Sequence, residues 1–87
     1  MWKIKVPDRT IFKTTWDETR LVDPLWLQDF IDEVNGSVTD GHSFVRPSGT
    51  EDVLRLYTEA KTSKDVDRIA NMIIMEVDSK FRMFTEW

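Results

Sequence analysis

Ser43-Phe44-Val45-Arg46-Pro47-Ser48-Gly49-Thr50-Glu51-Asp52-Val53-Leu54-Arg55-Leu56-Tyr57-Thr58-Glu59 reads as strand, loop and strand, and the rest of the fold arranges itself around it. Ser43-Phe44-Val45 is a short strand that runs into a loop over Arg46 to Asp52. Val53 to Glu59 is the next strand. Side chains alternate along it, with Val53, Arg55, Tyr57 and Glu59 on one face and Leu54, Leu56 and Thr58 on the other.

Working outward, Asp23-Pro24 opens a helix. Asp serves as a cap for free N–H groups, and Pro is tolerated at the first helical position, where its missing N–H costs nothing. Leu27, Phe30, Ile31 and Val34 follow at helical spacing and form one apolar stripe. Asn35-Gly36 closes the helix, since both residues tolerate the left-handed conformation. Asn35-Gly36-Ser37 also spells a glycosylation sequon and is read as an ordinary turn. Further upstream, Trp2 to Val6 alternates apolar and polar as a strand does, and Pro7-Asp8 stops it. Arg9 to Thr15, rich in β-branched and aromatic residues, predicts a second short strand. Downstream, Thr62-Ser63-Lys64-Asp65 has a hydroxyl cap with an acid three residues on. Val66, Ile69, Ala70, Ile73 and Val77 then predict a second amphipathic helix. Phe81, Phe84 and Trp87 continue at a spacing of three, either extending that helix or folding back as a tail over 80–87.

The order is therefore β-β-α-β-β-α. Strands joined by short connections pair antiparallel, and amphipathic helices must cover a sheet face. The expected fold class is α+β, an antiparallel sheet with two helices packed on one face. Residues 1–87 leave room for a single domain.

Composition narrows the function. Sixteen acidic residues outnumber twelve basic ones, giving a net charge of −4, whereas nucleic-acid binders draw most of their affinity from a basic surplus. No apolar run approaches the roughly 20 residues that span a bilayer. The N-terminus alternates where a signal peptide would run apolar. Without cysteine there is neither a disulfide framework nor a thiolate metal site. These features predict a cytoplasmic protein with neither nucleic-acid nor membrane partners.

The chemistry gathers at Arg46-Pro47-Ser48-Gly49-Thr50. Arginine offers a planar fork of donors that matches phosphate oxygens. Ser48 and Thr50 add hydroxyls, and Gly49 lets backbone approach an anion closely. Successive amides in such a turn form an anion-binding nest, and Pro47 stiffens the loop on both sides. Arg55, about three residues beyond the loop on a strand rising roughly 3.3 Å per residue, has the length to reach back to it. The same residue types also suit a plain turn between two strands. Glu51 and Asp52 would repel phosphate unless they point away. Spacing alone leaves both readings open.

Arg46-Pro47-Ser48-Gly49-Thr50-Glu51 resembles the signature of the fourth domain of the α-D-phosphohexomutase superfamily. The wider stretch from Phe44 to Val53, with Arg55, Tyr57, Glu59 and Ala60, is similar to the eukaryotic phosphoacetylglucosamine mutase branch. Asp52 favours that branch, because several bacterial relatives tend to carry proline after the glutamate. The likeness runs along nearly the whole chain, with its specific part at residues 44–60.

That resemblance implies a fold like that of the TATA-binding protein, without DNA binding. It implies that the chain is the C-terminal, substrate-phosphate-binding domain of a larger isomerase. Such an enzyme interconverts N-acetylglucosamine 6-phosphate and N-acetylglucosamine 1-phosphate in UDP-N-acetylglucosamine biosynthesis. Position by position, Arg46 would hold the phosphate, Ser48 and Thr50 would donate hydroxyls, Gly49 its amide, and Arg55 a second charge, with Pro47 shaping the loop. The family's phosphoserine and its magnesium loop belong to other domains. This piece is therefore expected to carry no catalytic residue and no cofactor of its own, and to be inactive alone. Its partners would be the sugar phosphate and the remaining domains of the enzyme.

Two other classes fit the residues, a free-standing module for phosphorylated ligands and a structural or protein-interaction domain. His42, the single histidine, stands without a partner and is given no role. The tryptophans and Tyr57 are expected in the core, not on an RNA-binding sheet, whose paired aromatic motif is missing. Met72, Met75 and Met83 are expected to fill core gaps.

Overall fold

In a computed structural model, described over residues 1–81, the chain forms β1 (Trp2–Lys5), a 3-10 turn (Arg9–Ile11), β2 (Lys13–Thr14), β3 (Leu21–Asp23), α1 (Leu25–Asn35), β4 (His42–Pro47), β5 (Val53–Glu59) and α2 (Ser63–Phe81). β5 lies at the centre of a three-stranded antiparallel sheet ordered β1-β5-β4. Alternation decides which face is covered. Ile4 and Val6, Val45, and Leu54 with Leu56 point inward and are buried. They pack against Leu27, Ile31 and Val34 of α1 and against Ile69, Ala70, Ile73, Ile74 and Val77 of α2. The two helices thus cover one face, as the α+β reading expects.

The helix starts differ in how they are made. Thr62 caps α2 as its sequence suggests, its Oγ1 accepting from the Asp65 amide at 3.2 Å. α1 departs from expectation at both ends. Asp23 gives no cap bond, because it belongs to β3 and pairs with Lys13; Pro24, with ψ 133°, stands at the cap position just outside the helix. Gly36 keeps a right-handed φ of −72°, its amide still reaching back to the Asp32 carbonyl at 3.1 Å.

The N-terminal region also differs in detail. The strand expected over 9–15 is a 3-10 turn followed by two strand residues. Asp8 accounts for the turn, its Oδ1 accepting from the Thr10 amide at 2.9 Å and the Thr10 hydroxyl at 2.7 Å. β2 pairs with β3, a three-residue strand that the sequence did not announce, to make a separate ladder beside β4. Gln28, buried in α1, fastens that ladder: its Oε1 accepts from the Leu21 amide at 2.6 Å, and its Nε2 donates to Asp32 at 3.0 Å.

Several aromatic and sulfur side chains leave the positions expected of them. Trp2 packs on the core edge, but Trp16 is 95 % exposed because it sits in the turn between β2 and β3. Tyr57 is on the outer sheet face. Met75, on the solvent side of α2, is 67 % exposed, and Met72 is exposed beside it. Phe81 ends α2 against Phe12, with ring centroids 5.6 Å apart. Met83, Phe84 and Trp87 lie outside the described residues.

Candidate functional site

The face of the sheet turned away from the helices gathers the polar chemistry. Register places Phe44 opposite Tyr57, and in the next row Lys3 opposite Arg55 and Arg55 opposite Arg46. Arg55 therefore has no need to reach back along its strand; its stem and that of Arg46 leave neighbouring strands side by side.

Arg46 is held firmly. Its Nη2 donates to the Tyr57 hydroxyl at 3.0 Å, and its guanidinium lies over the Tyr57 ring at 5.1 Å. The Tyr57 ring is stacked on Phe44, centroids 5.0 Å apart. Nη1 donates to Glu18 at 3.2 Å. The bond to Tyr57, and after it the charge of Glu18, hold the Arg46 group charged even above the usual arginine range. An arginine has five donors, so Nε and one hydrogen on each Nη remain for a ligand. Glu18 is brought there by the turn between β2 and β3. It takes a left-handed φ of 61°, uncommon for a residue with a Cβ. Asp17 stiffens that turn by accepting from the Thr15 hydroxyl at 2.6 Å and the Thr19 hydroxyl at 2.8 Å.

Arg55 stands in a different state. Its Nε is buried and, among the described residues, meets no acceptor. Its neighbours across both adjoining strands are cations. An unpaired buried donor is destabilising by about 1–3 kcal/mol, and like charges set opposite each other add to that.

The loop is closed by the Ser48 amide, which donates to the Val53 carbonyl at 3.0 Å. Ser48 is only 4 % exposed, and its Oγ accepts from the amides of Thr50 and Glu51, each at 3.3 Å. This corrects the picture of an open nest: two of the amides are turned inward by the serine, whose own proton remains to donate. The Gly49 amide and the Thr50 hydroxyl have no acceptor among the described residues. At Gly49 φ is not positive and a Cβ would meet nothing within 4 Å. Among the described residues the fold thus shows no need of glycine there, and the space beside it is open. Pro47 ends β4 opposite Leu54 and turns the chain into the loop.

The two acids of the loop are drawn off to the N-terminal segment. Glu51 pairs with Lys3 at 3.6 Å. Asp52 accepts from the Arg9 amide at 3.1 Å and from its Nη1 at 3.4 Å, while its carbonyl accepts from the Val6 amide at 3.1 Å. Both carboxylates are thus paired with cations of the N-terminal segment, Asp52 through two bonds and Glu51 through one half-exposed pair. Lys3, Arg9 and Glu18 were missed by reasoning from the motif, and Tyr57, counted in its wider stretch, was expected in the core. The outward cations of β1 were the available signal for Lys3, but its register against β5 was not.

Residues 2–76 match the model of the phosphoglucomutase/phosphomannomutase C-terminal domain. The chain belongs to that family. Over 77 residues, 88 % of the chain, this phosphohexomutase domain is 46 % identical to a phosphoacetylglucosamine mutase of Arabidopsis thaliana, covering 14 % of that protein. It superposes on a crystal structure of an N-acetylglucosamine-phosphate mutase in a substrate complex with a TM-score of 0.82 at 46 % identity, over 87 % of the domain and 14 % of that chain. A crystal structure of the Aspergillus fumigatus N-acetylphosphoglucosamine mutase, in complex with GlcNAc-6P and magnesium, gives the same TM-score of 0.82 at 37 % identity, over 87 % of the domain and 15 % of that chain. The domain spans about one-seventh of the relatives it matches, as the 14 % coverage states. Among the described residues no three His, Asp or Glu groups converge to hold a metal ion. No described helix is long and apolar enough to cross a membrane.

Proposed function

We propose that residues 1–87 form the C-terminal, substrate-phosphate-binding domain of a phosphoacetylglucosamine mutase acting in the cytoplasm. The whole enzyme interconverts N-acetylglucosamine 6-phosphate and N-acetylglucosamine 1-phosphate. Arg55 carries the phosphate reading. A buried donor without an acceptor among the described residues, flanked by two further cations, is a poor arrangement for folding and a good one for receiving a dianion.

Each neighbour then has a task. Arg46, fixed by Tyr57, presents its remaining donors as a fork. Thr50 and Ser48 donate hydroxyl protons and Gly49 its amide, while Pro47 sets the start of the loop. The phosphate held here is the one not being transferred. Binding energy from a non-reacting group orients the reacting end of the sugar. The transferring group and magnesium belong to the rest of the enzyme, with which this domain and the sugar phosphate are partnered. Nucleic acid and membrane have no part in the reading.

Titration of the isotope-labelled chain with inorganic phosphate and with N-acetylglucosamine 6-phosphate tests it. Amide shifts are expected to centre on residues 46–55 with both ligands, to be absent with N-acetylglucosamine, and to vanish in Arg46→Ala. Shifts spread evenly over the surface, or none at high phosphate, overturn the proposal.

A further inference from the structure

β1 brings to the site a residue outside the loop motif. Lys3, Arg55 and Arg46 occupy one row on the outer sheet face, one from each strand. Directly opposed residues are about 4.5–5.5 Å apart, so the row is a line of three stems within reach of one small anion. Its ends are each offset by a carboxylate, Glu51 on Lys3 at 3.6 Å and Glu18 on Arg46 at 3.2 Å. Three cations thus face two acids, and the charge left over falls at the centre, where Arg55 Nε is without an acceptor among the described residues.

We infer that Lys3 is a third cationic ligand of the bound phosphate, exchanging Glu51 for a phosphate oxygen when the anion seats on Arg46 and Arg55. The Lys3–Glu51 pair is half exposed, 52 % and 55 % at its two side chains, and such pairs are weak enough to exchange partners. Lysine has a flexible stem and three rotatable donors, so the ammonium turns between the two positions without backbone movement. Glu51 parks it at the edge of the loop, between the Thr50 hydroxyl and the Asp52 anchor in sequence. The inference rests on the phosphate reading above and adds to it a ligand supplied by the first strand of the domain.

Inorganic phosphate titrations of the 87-residue chain, followed by amide NMR, test the assignment. Lys3→Met is expected to weaken phosphate about three- to tenfold, and Lys3→Arg to stay within about twofold of the parent. Glu51→Gln frees the ammonium and is expected to tighten binding about two- to threefold. A Lys3→Met chain with a parental amide spectrum and parental affinity overturns the inference. So does a Glu51→Gln chain weakened as much as Lys3→Met, because Lys3 would then act only by holding the loop. Should Lys3→Met fail to fold, Lys3→Gln takes its place: the same loss of about three- to tenfold is expected, and parental affinity overturns the inference. If Arg46→Ala loses binding while the Lys3 variants keep it, the phosphate reading stands and Lys3 is not a ligand. No shifts in the parent chain overturn the phosphate reading itself.

Discussion

The two faces of the central sheet are built from the same strands and obey opposite rules. Inward, Ile4, Val45, Leu54 and Leu56 are at most 1 % exposed and lie under both helices. Outward, the same strands carry Lys3, Arg46 and Arg55 in one row and Phe44 stacked on Tyr57 in the next. The inner face is what a fold needs. The outer face places like charges together and, among the described residues, leaves one buried donor unserved, an arrangement that packing alone does not explain.

Adjacent residues of β5 separate the two rules. Leu54→Ala removes a fully buried side chain and is expected to destabilise the chain by about 2–5 kcal/mol, read from urea unfolding. Arg55→Met, one residue on, is expected to leave unfolding stability unchanged or slightly raised, since it relieves the like-charge row and the orphaned Nε. It should still weaken phosphate at least about tenfold, equivalent to about 1.4 kcal/mol. A large loss of stability in Arg55→Met would erase the contrast between the faces.

The loop sharpens it further. At Gly49 nothing among the described residues would touch a Cβ and φ is not positive. Gly49→Ala is therefore expected to stabilise by about 0.4–1 kcal/mol, through the entropy of the unfolded chain, while weakening phosphate. Thermal unfolding and phosphate titration on the same sample check both signs together.

The smallest expected effect lies away from the sheet, at the fastening of the β2–β3 ladder. The Arg20 guanidinium at 2.8 Å, and then Gln28, hold the Asp32 carboxyl below its ordinary 3.8. A depressed carboxylate contributes stability that is fully present above 3.8 and is lost as pH falls through its lowered folded value. Asp32→Asn should therefore flatten the acid limb below that pH, by no more than about 1 kcal/mol for a half-exposed pair. Unfolding midpoints measured across pH 3.8 and below check it.

How much of this was legible follows the range of each interaction. The loop motif, the Thr62 cap and the stripes of α1 and α2 are local patterns, and all are read directly from neighbouring residues. β3 was not, because Leu21-Val22-Asp23 is too short to show alternation and is held by Gln28 seven residues away. The strand expected over 9–15 gave way to the Asp8–Thr10 turn, where a side-chain oxygen competes for the backbone. Arg55 was legible as a participant but not as the direct neighbour of Arg46 and Lys3. Register between β1 and β5 joins residues about fifty apart, as in Lys3↔Arg55, and no local pattern encodes it. Glu18 was hidden for the same reason, being delivered by a turn whose position depends on α1.

Asp52 ties the recognition loop to Val6 through its carbonyl and to Arg9 through its carboxylate. The loop and the opening segment of the domain are consequently fastened together. On the proposed phosphate reading, such a loop meets its ligand with its donors already arranged, like teeth on a key.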